Sequence, residues 1–384
     1  MVLTVVSLFT GAMGLDLGFE QEGFEVRVCV EKDQQALETI KANRPLIPCI
    51  PHDIHKVKTE EILAKARLGV GEATVLTGAP PCEPFSTAGK RNGPQDGRAE
   101  AIFEFIRIVR EARPQYFVFE EVPGLLSAAK RHISFYERID MNADDLAPDE
   151  RLGSFFAEVM AAFQETGYVL SCDLETAKLS VLNAADFGIA QKRKRFILVG
   201  VRDGPPVGPP SPTCTEWLTL EGALSSIHDP VPEYKEFPQS WGQYLPLVPP
   251  GGCWRDLPEE LHRVVLGGAY DDPDNPRTKG KKGGRTGYMR RLSWRAPAPT
   301  LTDSPTAKSS CLCHPDGTRP LSVKEYAALQ GFPPEMIFCG STSTKYRLIG
   351  QATPTSMARA IARVILCHHR INTDKEKGTL TSKT

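Results

Sequence analysis

No apolar run in this chain approaches the roughly twenty residues that a membrane-spanning helix needs. The apolar start MVLTVVSLFTGAMG lacks a basic leader and a convincing cleavage site, so it reads as a buried strand, not a signal peptide. The ten cysteines follow no framework spacing, which argues against a disulfide scaffold and for a reducing, cytoplasmic interior. Neither sign of charge prevails: 46 basic residues face 47 acidic ones, so any surface for a polyanion must be local. There is no internal repeat. What remains is ordinary for a soluble chain with a good core, 384 residues of which 41% are hydrophobic and 24% charged, enough for one large domain or two unequal ones.

Along the chain, short β-branched runs alternate with helical periodicity. LTVVSLF is a strand that ends in the glycine turn TGAMG and leads to a helix from about Leu15. FEVRVCVEKD repeats the pattern before QQALETIKANRP, ATVLTGAP is a further strand, and QYFVFEEV another. AEAIFEFIRIVREARP places Ile102, Phe105, Ile106 and Val109 on one helical face, and GSFFAEVMAAFQETGY is amphipathic too. The alternation predicts an α/β fold with a mostly parallel sheet, helices on both faces and a ligand crevice at the strand ends. DGPPVGPPSPT then marks a proline-rich linker. A looser, Gly- and Pro-rich module comes next and ends in the basic run RTKGKKGGRTGYMRR. Helical pattern returns at SVKEYAALQGFP and SMARAIARVILCHH. The polar tail, 371–384, is expected to be disordered.

Three features carry chemistry. The glycine turn after the first strand lets a ligand approach the backbone. Glu31 stands about twenty residues on, where an acid can hold ribose hydroxyls, and Asp53 in PHDI can reach an adenine edge. No Walker lysine comes after the turn, which argues against a triphosphate. Cys82 in GAPPCEPFS is preceded by two prolines that fix φ and remove donors. The loop STAGKRNGPQDGR after it can move as a lid. Arg193 and Arg195 in QKRKR are candidate cations to lower the pKa of that thiol. Glu120 in VFEEV ends a strand at the same crevice, as a partly buried acid able to donate a proton to a ring.

In this order, these pieces closely resemble the DNA cytosine-5 methyltransferases of bacterial restriction–modification type. SLFTGAMGLDLGFEQEGF resembles the first S-adenosylmethionine motif, VEKD the second and DI at Asp53 the third. GAPPCEPFS resembles the nucleophile motif, EEV the E-N-V motif, QKRKR the Q-x-R-x-R motif and GQATPTSMARAIA the closing G-N-A-V-P motif. RRLSWRAPAPTLT and RPLSVKEYAALQGFP resemble the family's ninth motif and the segment next to it. The resemblance covers nearly the whole chain except Pro205 to about Tyr288, where the family carries its variable target recognition domain.

The resemblance implies a Rossmann-like S-adenosylmethionine-dependent methyltransferase sheet with a smaller, irregular target recognition domain. Residues 1–204, completed by about 340–370, would form the catalytic domain, and 205–320 the recognition domain and hinge. The reaction it implies is methyl transfer to carbon 5 of a cytosine flipped out of a short, specific double-stranded DNA sequence. Cys82 would attack carbon 6, Glu120 would serve ring nitrogen 3, and Arg195 with Arg193 would support the base oxygen and the cysteine loop. Phe9, Gly11 and Gly14 would cradle the cofactor, with Glu31, Lys32, Asp53, Ile54 and Pro80 beside it. Gln351 and Thr353 would close the pocket. Ser86, Lys90, Arg91, Lys281, Lys282 and Arg285 would contact DNA phosphates. No metal is implied, and CLCHPDG fits no common zinc spacing. The four tryptophans read as packing residues. The expected enzyme is a monomer, either solitary or partnered, without a stable complex, with a cognate restriction endonuclease of the same system.

Met13 stands where the pattern has glycine, Glu83 where it has Gln, Glu121 where it has Asn, and Gln351 and Thr353 where it has Asn and Val. Two readings compete with the methyltransferase: an RNA cytosine methyltransferase of the same fold, and a catalytically weak DNA-binding paralogue.

Overall fold

The structure is a computed structural model that describes residues 2–81, 85, 99–133, 141, 145–267 and 287–381. Its contacts divide the chain into two units: Met1–Asn183 with Lys194–Thr213 and Thr353–Thr384, and Ala184–Arg193 with Cys214–Ala352.

The first unit is built on one sheet. Its strands are β1 (Thr4–Leu8), β2 (Glu25–Val30), β3 (Cys49–Ile50), β4 (Val75–Gly78), β5 (Tyr116–Glu121), β6 (Val169–Leu170), β7 (Val181–Asn183) and, after β8 (Gln191–Lys192) of the second unit, β9 (Lys194–Val201). The order is β3-β2-β1-β4-β5-β9-β6, with β7 also on β9. Strands β3 to β5 are parallel, whereas β9 runs antiparallel to β5. All five residues of β1 are buried, Thr4 and Ser7 included, because both faces of a central parallel strand are covered. The chain leaves β1 towards β2 and returns to β4 on its other side. The order therefore reverses between β1 and β4, and a crevice opens at such a switch point.

Helices α1 (Gly14–Glu20), α2 (Gln34–Asn43), α3 (Thr59–Ala66), α4 (Glu100–Ala112) and α5 (Ser154–Gln164) come after the strands. On α4 the predicted stripe Ile102, Phe105, Ile106 and Val109 is buried. It meets an aromatic core in which Phe117 stacks on Phe163 with ring centroids 5.0 Å apart. Gly200 on β9 admits that core, because a Cβ there would lie 2.0 Å from the Phe117 ring.

Several elements were not expected from the sequence: β3, α3, and the antiparallel strands β6, β7 and β9. The tail was expected to be disordered, but the C-terminal helix runs from Thr355 to Thr381. Its first turns are fixed on α1, so extending it costs little per residue once the nucleus exists. At Gly18 the helices approach so closely that a Cβ would lie 2.5 Å from Ala358. Glu22 receives Arg359 Nε at 2.7 Å and Arg363 Nη2 at 2.9 Å.

The second unit contains a two-stranded parallel pair of β8 with β10 (Ala298–Pro299). It also has its own core, including Trp241, Leu245, Val248, Trp254, Leu257, Met289, Cys311 and Cys313. Trp241 and Trp254 pack as expected. Trp217 departs: it is half-exposed, Lys192 Nζ lies 4.9 Å from its ring centroid, and its Nε1 donates to Asp186 at 2.8 Å.

Candidate active site

Four parallel strands bring their C-terminal ends to one edge of the first unit. Leu8 pairs with both Val30 and Gly78, and Gly78 with Phe119. The residues just beyond these positions are Phe9–Gly11, Glu31, Ala79–Pro81 and Glu120, so the sheet register alone places the predicted cofactor turn, ribose acid, proline pair and proton donor side by side.

The turn after β1 carries three residues at positive φ, Phe9 at 53°, Gly11 at 54° and Met13 at 65°. Met13 takes a left-handed backbone that glycine adopts freely, at a cost of about 1–2 kcal/mol for a side chain, and its side chain is fully buried. Glu31 ties the turn to β2. Its Oε2 accepts from the Gly11 amide at 2.8 Å, and its Oε1 from the amides of Lys32 and Asp33, each at 2.8 Å. Asp53 accepts from Lys32 Nζ at 2.9 Å and pairs with His55 Nδ1 at 2.7 Å. The Lys32 hydrogen bond, then that of His55, holds its carboxyl well below the usual range. Ile54 is buried in the core, Gly14 opens α1, and Pro80 is buried.

Asp16, in the first turn of α1, was not anticipated. It is buried, and neither carboxylate oxygen has an aligned hydrogen-bond partner among the described residues; the nearby Ser7 hydroxyl, which opposes the effect of burial on its pKa, shares a bond with Thr10 at 3.0 Å. Burial pushes its pKa up to about 7. A sequence reader could have noted an acid inside the otherwise apolar LDLGF. A buried carboxylate without a partner beside a positive-φ turn suits a ligand that carries positive charge, such as a sulfonium.

Glu120 and Glu121, at the end of β5, are both buried. Glu121 Oε2 accepts from the Val122 amide at 2.7 Å, so the acid that replaces Asn braces its own backbone. Glu120 lies opposite Ile197 on β9, and Arg195 Nε on that strand comes within 2.6 Å of its Oε1. The contact is a charge pair without hydrogen-bond alignment, since that oxygen is buried and accepts no hydrogen bond among the described residues. Phe85 is anchored by stacking on Phe155, with centroids 5.4 Å apart, and by Gly124, where a Cβ would lie 2.1 Å from its carbonyl.

The two arginines of QKRKR belong to different units. In the second unit, Arg193 is buried and donates from Nη1 to the Leu301 carbonyl at 2.9 Å and from Nη2 to that of Gln351 at 3.4 Å. Gln191 joins it, donating to the Leu329 carbonyl at 2.8 Å and accepting from the Leu301 amide at 2.9 Å. Gln330 donates to the carbonyls of Ile349 at 2.9 Å and Ala352 at 2.6 Å. At Gly350, a Cβ would lie 2.0 Å from the Thr302 carbonyl. Within the second unit, residues 349–352 are thus held near residues 301–302 by buried polar side chains, which only the folded contacts disclose. Gln351 itself is exposed, and Thr353, in the first unit, is buried. Cys311 and Cys313 are packed in the core of the second unit, and His314 Nδ1 accepts from the amides of Asp316 and Gly317. Cys82, Ser86, Lys90, Arg91, Lys281, Lys282 and Arg285 lie outside the described residues.

A parallel sheet reversing between β1 and β4, closed by an antiparallel β9 and lined with acids at one edge, defines the class: the fold is that of the S-adenosylmethionine-dependent methyltransferases. Among solved structures it is similar to that of a protein described as a DNA modification methyltransferase encoded within an Escherichia coli prophage, with TM-score 0.61, 20% identity, and coverage of 95% of this chain and 98% of that one. The Dnmt2 methyltransferase of S. pombe gives TM-score 0.56 at 14% identity, over 95% and 98% of the two chains.

The family described as C-5 cytosine-specific DNA methylase matches residues 3–367, and the chain belongs to it. It is therefore an enzyme that transfers a methyl group from S-adenosylmethionine to carbon 5 of cytosine in DNA. Similar curated proteins are the type II methyltransferases M.Sau96I of Staphylococcus aureus, 32% identical over 96% of this chain and 76% of that protein, and M.Eco47II of Escherichia coli, 34% identical over 95% and 79%. Among the described residues, no helix is long and apolar enough to cross a membrane.

Proposed function

We propose that this chain is the modification enzyme of a type II restriction–modification system, methylating one cytosine in a short double-stranded DNA sequence, with Cys82 as nucleophile and Glu120 as the acid that serves the base. The first unit supplies the chemistry and the second the sequence recognition. The observation that carries the assignment of roles is the state of Glu120. It is buried, paired with Arg195, and has hydrogen-bonding capacity left for a substrate. Resemblance to the type II enzymes supports the biological setting.

In this reading the target cytosine leaves the duplex and enters the strand-end crevice. The Cys82 thiolate adds to carbon 6. Glu120 donates a hydrogen bond or proton to nitrogen 3, so the electron pair released into the ring collects at carbon 5. S-adenosylmethionine, bound over the Phe9–Gly14 turn with Glu31, Lys32, Asp53, Ile54 and Pro80 around it, supplies an electrophilic methyl group on a sulfonium. Loss of the carbon 5 proton then restores the ring and expels the Cys82 sulfur. Arg195 keeps Glu120 in place and faces the base oxygen. Arg193 serves from the second unit by fixing the Leu301 and Gln351 segments, and Gln351 with Thr353 closes the cofactor side. Ser86, Lys90, Arg91, Lys281, Lys282 and Arg285 meet phosphates, a contribution that falls steeply with salt. The enzyme acts as a cytoplasmic monomer without a metal, and its cognate endonuclease acts on the same site without a stable complex.

Duplex DNA carrying 5-fluorocytosine tests the proposal, because a fluorine at carbon 5 blocks the final elimination. A covalent adduct that requires both S-adenosylmethionine and Cys82, and that vanishes in Cys82→Ser, is the expected result. Binding without an adduct would mark a paralogue that only occupies DNA. Bisulfite sequencing of DNA from expressing cells then reads the target sequence.

A further inference from the structure

Two thiols sit at the root of the acid-bearing turns. Cys29 on β2 and Cys49 on β3 are register partners in a parallel pair. Val28, Val30 and Ile50 enter the apolar core on one face. Side chains alternate along a strand, so Cys29 and Cys49 leave the sheet together on the other face. Neighbouring strands lie about 4.8 Å apart, inside the Cα range of a disulfide. Both thiols are free; Cys29 is fully buried and Cys49 half-buried. Cys49 Sγ donates to the Ile47 carbonyl at 3.6 Å. The neighbouring Cys49 thiol, together with burial, raises the pKa of Cys29, and the neighbouring Cys29 thiol lowers that of Cys49.

We propose that Cys29 and Cys49 form a dithiol that hydroperoxides close to a disulfide, and that the bridge lowers affinity for S-adenosylmethionine, a consequence that rests on the cofactor reading above. The Cys49 thiolate attacks the peroxide O–O bond, giving a sulfenic acid and releasing hydroxide, which takes up the proton the Cys49 thiol had lost and becomes the first water. The Cys29 sulfur then displaces the sulfenic hydroxyl, which leaves as a second water with the Cys29 proton. Two thiols lose two electrons, and one peroxide gains them. β3 is a two-residue edge strand held on β2 by Cys29 N to Pro48 O at 3.0 Å and Glu31 N to Ile50 O at 3.2 Å. A disulfide draws its Cβ atoms to about 3.5–4.5 Å, closer than the strands stand. The bridge therefore pulls on the segments that lead directly into Glu31 and Asp53.

The test treats the full chain with hydrogen peroxide, blocks free thiols, and maps tryptic peptides without reduction. The expected product is peptide 28–32 joined to peptide 42–56, lighter than the two free peptides by two hydrogens. Calorimetry should show the Kd for S-adenosylmethionine raised at least threefold and restored by dithiothreitol. Cys49→Ser, in which every other cysteine is still exposed to peroxide, should show neither change. Consumption of Cys49 without the joined peptide overturns the proposal, as does a bridge that leaves Kd unchanged. Failure of the reduced protein to bind S-adenosylmethionine would instead strike the cofactor reading, while the peptide map still decides whether the bridge forms.

Discussion

Glu31 and Glu120 are two carboxylates at the same edge of one sheet, one just beyond β2 and the other near the end of β5, yet their surroundings differ. Glu31 accepts hydrogen bonds from three backbone amides and stitches the β1 turn to β2. Glu120 is more deeply buried, faces one guanidinium, and accepts no aligned hydrogen bond on Oε1 among the described residues. A carboxyl group offers several hydrogen-bonding sites, and leaving such capacity unused in a buried place is costly. The contrast separates two uses of one chemical group. Glu31 is committed to shaping its turn, whereas Glu120 keeps the capacity that the proposed mechanism assigns to the substrate.

The largest effect should come from the acid held ready. Glu120→Gln keeps the shape and removes the proposed proton donor. Methyl transfer should fall about 10²–10⁴-fold, while the Kd for S-adenosylmethionine changes less than about twofold, or about 0.4 kcal/mol at tenfold per 1.4 kcal/mol. Radiolabelled methyl incorporation and calorimetry measure the two separately. A variant that keeps more than a third of its rate would erase the distinction from Glu31.

How much of this contrast was legible in the sequence depends on the range of the interactions. VVSLF and YFVFEE announce buried parallel strands because both faces are apolar, and the acids that come after them could be placed at the edge without coordinates. By contrast, KRFILVGV begins inside a basic run and pairs antiparallel with a strand some eighty residues earlier, so nothing local marks β9 as the carrier of Arg195. The two residues of β3 are too few to show a period. Gln191 and Gln330 look like surface polar residues in sequence and Arg193 like a site cation, and all three become buried braces only when distant carbonyls meet them. Asp16 was hidden for the opposite reason: its neighbours in the chain are those of an ordinary core helix.

Glu31→Gln sharpens the other side of the comparison. An amide has one acceptor oxygen where the carboxylate has two, so at least one half-buried amide, that of Gly11 or that of Asp33, loses its partner, at about 1–3 kcal/mol. Unfolding in urea should show that loss, and the Kd for S-adenosylmethionine should rise about tenfold as the turn loosens, 1.4 kcal/mol being a factor of ten. A rate loss with unchanged Kd and unchanged stability would mean that Glu31 behaves like Glu120 after all.

Asp16 extends the comparison to a fully buried carboxyl whose oxygens have no aligned partner among the described residues. Its pKa is raised to about 7, first by burial, from the roughly 4 of an unfolded aspartate. Between these values the folded chain binds more protons than the unfolded one, so this residue makes stability fall as pH rises through that window and level off above it. Asp16→Asn removes the titration. The variant should be more stable than the parent at pH 8 by on the order of 1–3 kcal/mol, with the gain shrinking towards zero near pH 4. Chemical denaturation of both proteins across that range measures the difference; a gap that stays constant with pH would show that the carboxyl is not titrating in the fold.

The smallest effect belongs to Asp53, the acid at this edge whose partners reach solvent. Lys32 and His55 hold it in the ionised form, but an exposed pair contributes only about 0–1 kcal/mol. Asp53→Asn should therefore leave stability within about 1 kcal/mol. If the carboxyl also accepts from an adenine, the variant should weaken S-adenosylmethionine binding several-fold, by about the 0.5–1.5 kcal/mol of one hydrogen bond. Adenine-lacking competitors such as methionine should then bind parent and variant alike. Equal weakening for both ligands would move Asp53 away from the adenine and assign it, like Glu31, to the shape of the turn.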